Sequence, residues 1–411
     1  MNIASFSWEF KPFINGGLGR YIEYYTNHLI EHNHNIWAFA CNTGDLQPKE
    51  TKGNLVVYRP LNWFIKVAIS LYLPGSVHIF LYNISSYITL RKLVRKQEID
   101  IISIHDWLNC PAGVLCALTL KQPIVFHVHN TEFSMMAWNK KTIRGTITNF
   151  FERLMARLSS KIIVPSVEMF KLLEEQGWDS NKISVIPHGF KSDFAGIHTK
   201  TAVQNKFKQE LYSKFNISYD DKILLFAGRI TYSKGIYNLI KAMALIIKSN
   251  ANVKLIVLGS GECEKKDALI SELGLVKNIH SYNRFLSQEE VFQHYMISDI
   301  CIFPSLYEPF GLVALEAMSL GKPVILGNGF PKILGGAADN SSAVFVDSTD
   351  PEKIAEEILF LLNNDKQAQI LGEVARNYVK NNFNWDKSFN DTLSVYREAI
   401  VKTEKLRGDS K

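Results

Sequence analysis

Two glutamates eight positions apart, Glu308 and Glu316, lie in the run S-L-Y-E-P-F-G-L-V-A-L-E-A-M-S-L-G-K-P over residues 305–323. Carboxylates only accept hydrogen bonds, which suits them to the vicinal hydroxyls of a sugar or ribose. Upstream, G-R-I-T-Y-S-K-G over 228–235 brings Arg229 and Lys234 close together. A delocalised guanidinium and a point-charge ammonium complement each other on one diphosphate. No side chain is placed as a covalent nucleophile. The set therefore reads as one that holds a sugar and neutralises an anionic leaving group.

These side chains need elements to aim them. C-I-F-P-S ends a buried strand, Pro309 and Gly311 break the chain, and 312–320 reads as a short apolar helix. Gly321 sits where a left-handed C-cap is wanted, and Pro323 blocks continuation. The amides of Gly311, Leu312 and Val313 thus open a helix at the carboxyl end of a strand, an anion site. Arg229 and Lys234 leave another strand, 222–227, in the same way.

Three further clusters follow strands. I-N-G-G-L-G-R over 14–20 offers Gly16 and Gly17, with Gly19, as a loop whose amides can approach a phosphate. It is not a dinucleotide fingerprint, since Ile22 stands where the third glycine is needed; Gly259-Ser260-Gly261 fails likewise at Glu264. His105-Asp106-Trp107 and His127-Val128-His129-Asn130 place polar groups at two strand ends. His127 and His129 share a side of their strand, but no third ligand has metal-site spacing, and no metal is expected.

Apolar strands at 3–6, 35–40, 101–104, 124–127, 161–164 and 183–186 alternate with helical periods such as 18–31. The alternation predicts a doubly wound parallel α/β sheet. A polar stretch at 191–221 interrupts it, and strands resume at 222–227, 252–258, 279–282, 300–304, 323–326 and 343–346. The expected plan is two Rossmann-like domains facing a cleft, 1–195 and 196–384, with a C-terminal helical segment 385–411. With 411 residues and 46% hydrophobic content, two cores are affordable. A net charge of +6 excludes a nucleic-acid signature. Five cysteines without C-x-x-C spacing argue against a disulfide framework and for a reducing compartment. The first ten residues read as a strand and not as a signal peptide, so a cytoplasmic protein is expected. Residues 67–90 lack Asp, Glu, Lys and Arg, but Pro74, Gly75, His78 and Asn83 interrupt them; rather than a span, a buried acceptor-side helix pair is expected, with a peripheral membrane contact through 62–96 as the alternative.

The E-x7-E phrase, with the Arg229 and Lys234 pair, resembles the signature of retaining glycosyltransferase family 4, enzymes of the GT-B fold. The resemblance covers nearly the whole chain and is strongest over 226–323. It implies that Glu308 contacts the donor sugar, Glu316 the ribose, and Arg229 and Lys234 the diphosphate. It also implies that Gly16 and Gly17 close over the phosphates and that His129 lies by the sugar, while His105, Asp106, Trp107 and Asn130 line the acceptor side. The last helix is expected to cross back to the first domain. The implied reaction is a front-face transfer of a hexose from a UDP-, ADP- or GDP-sugar to a saccharide or lipid-linked acceptor. The leaving phosphate oxygen takes the acceptor's proton. No D-x-D is present, in keeping with a metal-independent mechanism. Asn15 precedes the glycine pair where glucan synthases carry lysine, the nearest basic residue being Lys11, which weakens a glycogen or starch synthase assignment. Pro187-His188-Gly189 resembles the family's P-N-G, with His for Asn.

Two other readings remain at this point. A GT-B nucleotide-sugar 2-epimerase would need N-domain acid/base carboxylates, for which Asp106 and Glu132 are the candidates. A non-catalytic sugar-nucleotide-binding partner of a membrane assembly would not need Glu308, Arg229 and Lys234 together.

Overall fold

The computed structural model describes residues 1–14, 16–42, 45–60, 67, 75–132, 143–190, 201–337 and 340–408. The chain forms two compact units, Met1–His188 with Asp386–Lys411, and Gly189–Trp385. The junction expected at 195/196 falls at 188/189.

In the first unit, the strands are β1 (Asn2–Phe6), β2 (Asn35–Phe39), β3 (Lys49–Lys52), β4 (Leu55–Tyr58), β5 (Ile101–His105), β6 (Ile124–His127), β7 (Lys161–Val164) and β8 (Ile183–Val185). They form one sheet in the order β3-β4-β2-β1-β5-β6-β7-β8. Its pairs are parallel except β3 with β4. Central strands such as I-I-S-I-H and I-V-F-H are buried throughout because helices cover both faces. The β3–β4 hairpin is absent from the sequence expectation: K-E-T-K is wholly exposed and carries no apolar period, the usual dress of an edge strand.

Chain order reverses between β1 and β5. Right-handed crossovers therefore put helix Gly17–Glu31 on one face and helices Gly75–Val94, Cys110–Thr119 and Ile143–Leu158 on the other. The last three lie side by side in that order. The final helix, Trp385–Gly408, packs beside Gly17–Glu31. The Tyr25 and Tyr396 hydroxyls are 2.5 Å apart, and the His28 and Phe389 rings are 4.3 Å apart between centroids.

The second unit holds β9 (Lys222–Ala227), β10 (Val253–Leu258), β11 (Ile279–Tyr282), β12 (Ile300–Phe303), β13 (Val324–Gly327), a short antiparallel hairpin of β14 (Gly336–Ala337) and β15 (Asn340–Ser341), and β16 (Val344–Val346). Apart from the hairpin they form one parallel sheet, β11-β10-β9-β12-β13-β16. Alternate residues feed two cores: Leu225, Phe303 and Leu326 pack with Leu315 and Met318, while Leu224, Ile302 and Ile325 pack with Leu239 and Ile358. Strand order reverses between β9 and β12, so their carboxyl ends flank a crevice where ligands of such sheets bind. Among the described residues no helix is long and apolar enough to cross a membrane.

Candidate functional site

The loops leaving β9 and β12 are stitched together. Leu306 N donates to Ser233 O at 2.9 Å, and a Cβ on Gly235 would come within 1.8 Å of Pro304 O, so that position takes only glycine. This contact delivers Lys234 to Glu308: Lys234 Nζ donates to Glu308 Oε2 at 2.5 Å, with both side chains largely buried. Arg229 stands exposed on the same loop. The neighbouring Gly259–Gly261 turn is consumed in packing, because Ile230 N donates to Ser260 O and Glu262 N to Ile230 O, each at 2.8 Å.

Helix Leu312–Ser319 starts from Gly311, whose φ is 99° and which supplies no side-chain cap. The amides of Leu312 and Val313 therefore begin the helix beside Glu308 without a capping side chain. Glu308 N donates to Gly329 O at 3.0 Å, fixing the loop from behind. Glu316 is only 3% exposed. Tyr295 OH lies 3.3 Å from Glu316 Oε2 and 3.2 Å from Val313 O, and it donates to this pair of acceptors. Glu316 is thus a built-in acceptor rather than a residue of a solvated helix face.

In the first unit, helix Gly17–Glu31 follows β1, and its N-cap Gly16 is extended at φ −177°, a conformation open to any residue. Nothing lies within 4 Å of where a Gly16 Cβ would be, leaving open space at the loop. Gly19 is instead packed against Glu9 and Ile14.

Asp106, at φ 61°, turns the chain after β5. Its Oδ1 accepts from His129 N at 3.2 Å and Asn130 N at 3.0 Å, so the two polar clusters read from sequence form one assembly. Trp107 begins the short helical turn that follows. Ser103 Oγ and His105 Nε2 are 2.6 Å apart, His105 Nδ1 and His129 Nε2 3.2 Å, and His129 Nδ1 and His188 Nε2 3.2 Å. Tyr396 OH meets His127 Nε2 at 2.8 Å. Burial, reinforced by neighbouring imidazoles, lowers His105, His127 and His188 well below the ordinary histidine range; burial takes His129 down to about 3. All four rings are neutral at pH 7.

The third imidazole that sequence spacing did not supply is His105, and ring nitrogens of His105, His127 and His129 lie within 4.8 Å of one another. The His105 and His127 rings stack at 4.3 Å and 27°, so their in-plane lone pairs do not converge on a common point. His105, His129 and His188 form a hydrogen-bonded chain of rings, on which His127 stacks while its Nε2 meets Tyr396 OH.

Several participants carry no sequence signal of a site: Ser103, Tyr25, Tyr396, Tyr295 and Glu152. Glu152 is 1% exposed and accepts from Glu132 N at 3.1 Å. Burial raises its carboxyl to about 8; the Asp106 and Glu132 charges add to the rise, while the Glu132 amide and Arg153 oppose it. His188 has a signal, the P-H-G phrase, but no chemistry attaches to it in isolation. Of the segments expected to select the acceptor, 62–66, 68–74 and 133–142 lie outside the described residues, as does Asn15.

Two family profiles divide the chain, Glycosyltransferase Family 4 over residues 15–194 and Glycosyl transferases group 1 over residues 207–378. An uncharacterized glycosyltransferase of Methanocaldococcus jannaschii is 26% identical over 418 residues, spanning 97% of this chain and 99% of that one. Among solved structures, sucrose-phosphate synthase from Thermosynechococcus elongatus aligns with a TM-score of 0.77 at 20% identity, covering 98% of this chain and 99% of that one. Anabaena HepE in complex with UDP and glucose aligns at 0.73 and 16% identity, covering 97% and 100%. The architecture is the GT-B fold, and the protein is a glycosyltransferase. Within that class it is a family 4-like enzyme.

Proposed function

We propose that the protein transfers a hexose from a UDP-, ADP- or GDP-sugar to a hydroxyl of a saccharide or lipid-linked acceptor, with retention at the anomeric carbon and without a metal ion. The observation that carries this reading is the Lys234–Glu308 pair at the β9/β12 crevice, beside Arg229 and the uncapped start of helix Leu312–Ser319. The fold likeness to a protein that binds UDP and glucose supports a donor of this kind.

Arg229, Lys234 and the amides of Leu312 and Val313 meet the charge that builds on the diphosphate as the anomeric C–O bond breaks. Glu308 faces the cationic sugar, and Glu316 takes the ribose hydroxyls. The acceptor oxygen bonds to the anomeric carbon on the face the diphosphate leaves, and its proton passes to the departing phosphate oxygen. Gly16 and Gly17 admit the phosphates to backbone amides. His129 holds the sugar by position: both its nitrogens are engaged by His105 and His188 and burial keeps the ring from taking up a second proton, so no proton transfer is assigned to it. Asp106, Asn130, His105 and Trp107 shape the acceptor side.

Nucleoside diphosphate release with the best donor tests the reading. Turnover is expected to survive EDTA and to fall roughly 10²- to 10³-fold in Arg229→Ala, with little rescue by Arg229→Lys because the two-pronged geometry is lost. Abolition by EDTA with recovery in Mg²⁺ or Mn²⁺, or normal turnover in Arg229→Ala, overturns it.

A further inference from the structure

Helix Gly75–Val94 is built with its polarity reversed. Its inward face buries Tyr82, Asn83, Ser86, Tyr87 and Leu90. Tyr82 and Asn83 are paired there: Tyr82 OH donates to Phe39 O at 2.9 Å, Asn83 Nδ2 to Leu108 O at 2.9 Å, and Asn83 Oδ1 accepts from Ala112 N at 2.9 Å. Its outward row is Phe80, 60% exposed, the half-buried Ile84, and Ile88, 45% exposed, followed on the same side by exposed Arg91 and Arg95.

Helix Ile143–Leu158 repeats the pattern. Ile143, Ile147 and Phe150 are 82%, 54% and 60% exposed, and exposed Arg153 and Arg157 succeed them. Between the two helices, Cys110–Thr119 presents Leu118 at 65% exposure. Six of the eight large apolar side chains that the first unit exposes, among the described residues, thus lie on one layer. Helices Gly75–Val94 and Ile143–Leu158 run the same way, so their exposed apolar rows begin toward the strand ends that carry Asp106 and His129 and their basic ends lie at the opposite edge, where Leu118 also lies.

Charge decides what covers this face. The three helices contain one carboxylate, Glu152, and it is buried. A second copy of this layer would bring its arginines to the interface with no exposed carboxylate on the three helices to pair them. An anionic lipid surface offers both partners at once, acyl chains for the apolar rows and headgroups for the arginines and lysines.

We propose that the layer formed by helices Gly75–Val94, Cys110–Thr119 and Ile143–Leu158 docks the protein peripherally on an anionic membrane, and that the acceptor is lipid-linked and reaches the enzyme there. The acceptor class rests on the glycosyl-transfer reading; the docking surface does not.

Co-sedimentation of the full chain with phosphatidylcholine vesicles, with and without phosphatidylglycerol, tests it. Binding is expected only to the phosphatidylglycerol vesicles. It should be lost in Ile147→Glu/Phe150→Glu, fall about fivefold for each of Arg91, Lys92, Arg95 and Lys96 replaced by Gln, and persist in Phe360→Glu, an equally exposed apolar site in the second unit. Melting curves confirm that each variant is folded, and the glutamine set still reports should the double glutamate variant unfold. No binding by the parent chain, or binding indifferent to both sets of variants, overturns the proposal. A dimer that Ile147→Glu/Phe150→Glu dissociates, without vesicle binding, assigns the face to a second copy and also overturns it. A thermal-shift screen with nucleotide sugars separates the two readings: vesicle binding without a donor shift leaves the surface standing and rejects glycosyl transfer, whereas a donor shift without vesicle binding does the reverse.

Discussion

A carboxylate paired with a lysine and one buried against a tyrosine hydroxyl fail in different ways. Glu308→Gln keeps the shape of the loop but removes the charge facing the reacting sugar, so turnover should drop about 10²- to 10³-fold with donor affinity little changed. Glu316→Gln should instead weaken donor binding by about tenfold, the loss of one good charged hydrogen bond, and leave turnover at saturating donor close to normal. Equal affinity losses in the two variants, measured by calorimetry, would contradict the division of roles. Glu152 makes a separate prediction about pH. Its carboxyl titrates near 8 in the folded chain against an ordinary 4.5. Between those values the folded state keeps a proton that the unfolded state has released, so this group erodes stability as pH rises through the interval. Glu152→Gln keeps an acceptor for Glu132 N and removes the titration. The melting temperature of the variant minus that of the parent should therefore climb from pH 5 to pH 8; a constant difference would show that burial does not hold the proton.

Elements were legible where physics writes them in short range. The strands at 101–105, 124–127 and 222–227 are continuous apolar runs because parallel strands are buried on both faces, and the strand-turn-helix around Glu308 announced itself through Pro309, Gly311 and Gly321. The Lys234–Glu308 contact was not legible, since it depends on β9 and β12 being neighbours across the reversal of strand order. The imidazole chain was hidden for the same reason, its members coming from β5, the loop after β6 and the loop after β8. Gly311 is where local sequence and site geometry meet most tightly. A Cβ there would fall 2.3 Å from a ring carbon of Phe330, itself 1% exposed, on a backbone at φ 99°. Left-handed strain of ~1–2 kcal/mol and overpacking of ~1–3 kcal/mol should together lower the stability of Gly311→Ala, read from its urea midpoint. Gly16→Ala, with an extended backbone and no neighbour within 4 Å, should change stability by less than about 0.5 kcal/mol. A loss of donor binding in that variant would then report on the loop alone.

At the scale of the molecule, the first unit is assembled from two distant pieces of chain, and the second piece supplies part of its core. Phe389, Leu393, Tyr396 and Ala399 are all nearly or fully buried. Tyr396 also holds His127 and Tyr25, so the last helix supports the floor on which His105 and His129 lie. Fully burying a large apolar side chain contributes about 1.5–3 kcal/mol, and three such side chains approach the ~5–15 kcal/mol that stabilises a whole domain. A chain ending at Trp385 should therefore lose the first unit's fold while β9–β13 and β16, whose cores use none of these residues, retain theirs. Hydrogen exchange reads the two units separately. Amides of β1, β5 and β6 should exchange at once in the shortened chain, and those of β9, β10 and β12 should stay protected. The milder Tyr396→Phe keeps the ring and removes the hydroxyl. It should leave the fold protected and accelerate exchange only around His127 and Tyr25. Uniform loss of protection across both sheets in the shortened chain would mean that the two units fold as one, and that the site in the second cannot be formed without the first.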